Sequence, residues 1–208
     1  MPAADDMTRT MTHLAMGDKQ NANRSMTQTS ALSIGVARYN SVARLLHWLM
    51  AALILGVFLL GLLVDEFPKS WEHGIVETHK VQGVGILLLV IVRFTWRLAH
   101  RPPASEQVSP LLDRAAWLGH YGLYALMLAV PVIGLIYTAL RGQGIDFGLF
   151  SIPPIMERNR ELGRTVREVH ELAAYALIGL ASIHALAALW HHFIRKDTTL
   201  MRMLPLKR

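Results

Sequence analysis

The chain has no cysteine among its 208 residues. That absence excludes disulfides, thiolate-held iron–sulfur clusters, cysteine zinc sites and covalent cofactor attachment through Cys-x-x-Cys-His. Any redox centre therefore rests on histidine. Charge is also scarce, at 17% of residues. The long apolar stretches carry no carboxylate at mid-length, which argues against a proton or metal transporter lined by acidic side chains. No His-Glu-x-x-His or comparable zinc pattern occurs.

What fills the chain instead is apolar: 52% hydrophobic residues and a mean hydropathy of +0.32. That is too much for an ordinary soluble domain. Leu45–Val64, Ala115–Leu140 and Leu172–Ile194 are uncharged over 20, 26 and 23 residues, and each is long enough to span a bilayer as a helix. Between Lys80 and Arg93 only the 12 residues Val81–Val92 are uncharged. Extended to Glu77–Trp96 this stretch also spans, with Lys80 and Arg93 snorkelling to the interfaces. Lipid cannot satisfy free backbone groups, so the expected fold class is an all-α integral membrane protein, a four-transmembrane-helix bundle.

Residues 1–36 are polar and without periodicity and read as a disordered N-terminal extension, with residues 37–208 as the membrane domain. Met7, Met11, Met16 and Met26 read as candidate alternative starts, and no secretory signal is expected. The formal charge of +6 raises nucleic acid as a partner, but the cations cluster at span ends, so no nucleic-acid partner is expected. Counting Lys and Arg near those ends gives twelve on the side of the termini and seven on the other, which places the N- and C-termini in the cytoplasm. Pro102 and Pro103 break the chain after the second span, and Pro131 is expected to kink the third. The segment 141–167 reads as a long outer loop with Gly142, Gly144 and Gly148. It holds Arg141, Arg158, Arg160, Arg164 and Arg167. With Glu157, Glu161 and Glu168 these form either a salt-bridged surface or a positive funnel for a small anionic, electron-donating reductant.

Histidines carry the chemistry. His170 and His184 are 14 residues apart in the last apolar segment, within about 40° of a whole number of helical turns and roughly 21 Å apart along the axis. His47 opens the first span and His79 the second. Depth matching across antiparallel helices pairs His47 with His184 and His79 with His170. Neutral imidazoles in opposed pairs are the axial ligands a low-spin iron porphyrin needs, so two haem b groups, one at each depth, are expected. Gly83 and Gly85, just past His79, leave room for a flat macrocycle. His120 competes for the cytoplasmic-side pair. Arg93 and Arg97 either neutralise haem propionates or simply obey the positive-inside rule. His191, seven residues beyond His184, either hydrogen-bonds a propionate or quinone carbonyl or is an interfacial ring.

These residues, in this order, resemble the bacterial cytochrome b561 family, the small four-helix, di-haem, quinone-linked cytochromes. The strings concerned are Arg44–Trp48, Thr78-His79 to Gly83, Arg93 with Arg97, Leu118-Gly119-His120 with Tyr124, Pro131–Leu135, His170-Glu171, and His184 through His191-His192 to Met203. The likeness covers the chain from about Tyr39 onward. It implies axial ligation by His47, His79, His170 and His184 in the bacterial inner (plasma) membrane. It also implies electron transport from an outer donor to ubiquinone, with superoxide oxidation among the family's reactions. The alternative is a haem-bearing membrane anchor subunit of a respiratory dehydrogenase or hydrogenase, with a soluble redox partner.

Overall fold

The computed structural model describes residues 38–100 and 109–204. The extension read over residues 1–36 and the Pro102-Pro103 break lie outside them. Within the described residues four long helices run up and down as a bundle: α1 Ser41–Leu63, α2 Lys69–Ala99, α3 Pro110–Leu140 and α4 Arg160–Trp190. All four are long and apolar enough to cross a membrane. Residues 38 and 204 stand at one end of the bundle, here the terminal end. The turn from α1 to α2 and the α3–α4 connection stand at the other, the loop end.

Side-chain caps start three of the four helices. Asn40 accepts a hydrogen bond from the Ala43 amide at 2.8 Å before α1. Ser109 accepts from Leu112 at 3.3 Å before α3, whose first residue is Pro110. Asn159 accepts from Leu162 at 3.1 Å before α4. These are N-caps that satisfy otherwise orphaned amides. α1 closes in a 3-10 turn, Val64–Glu66, and α4 in a π-helical turn, His191–Arg195, ended by Lys196 at φ 56°.

Two elements differ from the hydropathy reading. α2 begins at Lys69, eight residues before Glu77, and takes in His73. α4 begins at Arg160, twelve residues before Leu172. Hydropathy marks the hydrocarbon slab, not the helix ends. A helix of 31 residues is about 46 Å long against a core of about 30 Å, so polar turns protrude. Ion pairs Arg164–Glu168 at 3.4 Å and Arg167–Glu171 at 2.7 Å support the protruding turns of α4. The α3–α4 connection thereby shortens and contains a small antiparallel hairpin, β1 Ile145–Asp146 with β2 Ser151–Ile152.

The buried core is one layer at mid-bundle, built from Met50 of α1, Ile86 and Val90 of α2, Met127 of α3 and Leu177 of α4. Leu177 lies seven residues from both His170 and His184, so the core separates the two ends of the bundle. Most other large apolar side chains face outward. Helices in lipid associate by close packing and not by burial from water, so an apolar exterior is the expected complement of so thin a core.

Candidate functional site

Pairs of histidines stand at both ends of the core. At the loop end the rings of His79 and His170 have centroids 6.2 Å apart and planes crossed at 71°. At the terminal end His47 and His184 repeat the arrangement at 6.3 Å and 70°. An ion bound between two imidazole nitrogens at about 2 Å each separates the ring centroids by about 6 Å, once roughly 1 Å from centroid to nitrogen is added on both sides. Both pairs meet that spacing.

The loop-end pair is the more fully prepared. His170 Nδ1 lies 3.1 Å from the Val130 carbonyl. A carbonyl only accepts, so Nδ1 carries the proton and Nε2 keeps its lone pair. Glycines make room for both rings. A Cβ at Gly61 of α1 would stand 3.0 Å from His79 Cε1, and one at Gly134 of α3 would stand 3.0 Å from His170 Cε1. Between the rings opens an apolar cleft with about 490 Å³ free of protein atoms, part of it open to the outside. Val57, Phe58, Gly83, Met127, Pro131 and Ala174 are among its walls. A Cβ at Gly83 would meet nothing within 4 Å, so this glycine borders free space, as its spacing from His79 suggested.

The terminal-end pair is engaged differently. Arg93 Nη1 lies 3.1 Å from His47 Nδ1, and Arg93 Nε lies 3.3 Å from the Tyr124 hydroxyl. Guanidinium only donates, so His47 Nδ1 accepts and Nε2 holds the proton. Ligation of an ion through Nε2 requires the opposite tautomer, and Arg93 must first leave Nδ1. His120 joins this cluster with its ring 5.3 Å from that of His184. That is shorter than a bridged pair allows, and His120 is exposed where His47 and His184 are half-buried.

His191 belongs to neither pair. In the π-helical turn its Nδ1 meets Asp197 Oδ2 at 2.5 Å, and the Thr199 hydroxyl is 3.4 Å away. Burial alone would push the Asp197 carboxyl up. The hydrogen bonds from His191 and from the Thr199 amide and hydroxyl outweigh it and hold the carboxyl down at about 2. The segment after Asp197 then closes the terminal end. Trp48 Nε1 donates to the Met203 carbonyl at 2.8 Å, Arg44 Nη1 to Leu204 at 3.1 Å, and the Tyr39 amide to Arg202 at 3.3 Å.

Sequence reasoning thus found all four paired rings, but not Gly61, the spatial role of Gly134, the Val130 carbonyl or Asp197. Gly134 carried a faint signal, three residues after Pro131 inside an apolar helix, where a glycine ordinarily costs stability. The others had none.

Comparison with known proteins gives the family of this bundle. A model of the family described as prokaryotic cytochrome b561 matches residues 38–206. Cytochrome b561 homolog 2 of Escherichia coli (strain K12) is 33% identical over 171 residues, covering 80% of this chain and 91% of the relative. A probable superoxide oxidase, CybB, of Yersinia pestis is 34% identical over 173 residues, 82% of this chain and 98% of the relative. Cytochrome b562 of Cereibacter sphaeroides is 29% identical over 173 residues, 80% and 94%. Matched along nearly the whole bundle, and carrying four spans with histidines suited to a b-type haem, the chain belongs to the prokaryotic cytochrome b561 family and is an integral protein of the bacterial inner membrane.

Proposed function

We propose that the protein carries electrons across the inner membrane through two b-type haems, from a donor on the outer side to ubiquinone, with both termini cytoplasmic. The observation that carries this reading is the repeat of one crossed histidine pair, at 6.2 and 6.3 Å, on either side of the core. His79 and His170 would hold one haem and His47 and His184 the other. When bound, the haem supplies the one-electron redox chemistry that no side chain of this protein can.

The protein's own residues do the rest. The Val130 carbonyl fixes the His170 tautomer, so that Nε2 is presented as a lone pair. Gly61 and Gly134 let the loop-end rings approach their neighbouring helices. The Met50–Leu177 layer keeps water out of the space between the two levels. Arg93, once off His47 Nδ1, is free to pair with a propionate, a charge that is costly to bury alone. His191, its Nδ1 proton held by Asp197, is left with a lone pair on Nε2, which accepts from a quinol hydroxyl and cannot donate to a quinone carbonyl.

The name of the Yersinia relative supports superoxide as the donor. Two superoxide anions, one quinone and two protons then give two oxygen molecules and one quinol. Pyridine haemochrome analysis of the purified protein should give two haems b per chain, and superoxide should reduce them with reoxidation by ubiquinone. A stoichiometry of one, or no reduction by superoxide, would refute the haem count or the donor respectively.

A further inference from the structure

The hairpin between α3 and α4 has a buried base and an exposed apolar tip. Its base is bolted to α2. The Asp146 amide donates to Glu77 Oε2 at 3.1 Å, and Lys80 Nζ donates to the Gly144 carbonyl at 3.1 Å while pairing with Glu77 at 2.7 Å. Ile145 is buried. Gly144 has no substitute here, because a Cβ would lie 2.2 Å from the Ile152 carbonyl oxygen.

The tip is just as well defined. Phe147 N–H donates to the Phe150 carbonyl at 2.9 Å. Gly148 sits between them at φ 81°, in the first central position of a two-residue hairpin turn, where a positive φ is required. Asp146 Oδ1 accepts from the Gly148 amide at 2.8 Å, and the Phe147 and Phe150 rings stack at 4.7 Å. Yet this ordered turn holds Leu149 98% exposed and Phe150 62% exposed, with Ile155 at 76% behind them. A tight turn facing water ordinarily carries polar residues.

We infer that the tip, Phe147–Phe150 with Ile155, inserts into the headgroup region of the surrounding bilayer and fastens the α3–α4 connection to the lipid surface. The inference rests on the four helices spanning a membrane. Three observations select lipid as the occupant. α3 ends at Leu140, only five positions before Ile145, so the hairpin starts at the bilayer edge. At the same end Trp71, 62% exposed, stacks on Phe67 at 6.4 Å, an aromatic pair of the kind that lies at membrane interfaces. Arg141 and Arg158 flank the positive-φ Gly142, whose Cβ would come 3.3 Å from Arg158 Cβ. They bring cationic charge to the level where anionic phosphates lie.

The absence of cysteine makes the test direct. Leu149→Cys and Ile155→Cys, each carrying an environment-sensitive fluorophore, are compared in the haem-loaded full chain in phosphatidylethanolamine–phosphatidylglycerol nanodiscs. Arg164→Cys, whose native side chain is 83% exposed, is the aqueous control. Labels at 149 and 155 should emit to the blue of the control, be quenched by lipids bearing a nitroxide near the headgroup, and be shielded from aqueous iodide. Iodide quenching equal to the control, without quenching by lipid, would overturn the inference and leave the tip in water. Shielding from both quenchers would also overturn it, in favour of a protein partner or second copy.

Discussion

His79 and His170 face each other at 6.2 Å, and each ring rests against a glycine of the preceding helix, Gly61 for His79 and Gly134 for His170. The notch and the ring are thus supplied by neighbouring helices, α1 to α2 and α3 to α4. At the terminal-end pair His47 instead has Arg93 on its Nδ1, a contact that ligation must break. The two sites are alike in spacing and unlike in support, and their responses to mutation should separate accordingly.

Gly134→Val should push the His170 ring off its position, since even a Cβ would stand 3.0 Å away. Overpacking of this kind costs about 1–3 kcal/mol. The expected outcome is loss or spectral disturbance of the loop-end haem alone, read in low-temperature absorption. An unchanged spectrum would mean that the notch is unnecessary.

His79→Ala and His184→Ala should each lower haem content from two to one per chain, measured as pyridine haemochrome. Potentiometric titration should show that different midpoints are lost in the two variants. Two haems retained in either variant would refute the pairing, and His120→Ala should retain both.

Arg93→Leu removes a cation beside His47. Its loss should make the oxidised, more positive state easier to reach and lower the midpoint of the terminal-end haem. The ceiling is about 4 kcal/mol, the interaction of unit charges in contact at an effective dielectric of about 20. A redox titration in which neither midpoint moves would count against a propionate role and leave Arg93 with its contact to Tyr124.

Asp197 ties the closing segment to His191. Its carboxyl is held below its ordinary 3.8, at about 2. The folded state therefore favours the charged form, and the stabilisation is present above pH 3.8 and lost as pH falls through about 2. Asp197→Asn should weaken the closure at neutral pH, seen as faster amide hydrogen exchange over 198–204, and should abolish its acid-dependent step. Equal exchange in variant and wild type at neutral pH would count against the tie.

Arg164 and Arg167 are paired with Glu168 and Glu171 on the protruding turns of α4, which favours the salt-bridged surface over the positive funnel. Arg164→Gln should change stability by no more than about 1 kcal/mol, the range for exposed pairs. It should also leave the ionic-strength dependence of reduction by superoxide unaltered. A clear loss of rate at low salt would restore the funnel.

The sequence alone determined the four spans, because only a helix of about 20 apolar residues can cross lipid with its backbone satisfied. It also determined which histidines share a level, because rise per residue and antiparallel order convert position in the chain into depth. Helix ends escaped it, since polar turns beyond the slab are held by caps and ion pairs that hydropathy does not register. The close contacts escaped it as well: Gly61 against His79, the Val130 carbonyl on His170, Arg93 on His47, and Glu77 with Lys80 anchoring a hairpin more than sixty residues away. Each joins residues on different elements, and their meeting depends on how the helices rotate about their own axes. Only packing between helices sets that rotation, and the hydrophobic pattern of a single span facing lipid on most sides leaves it open.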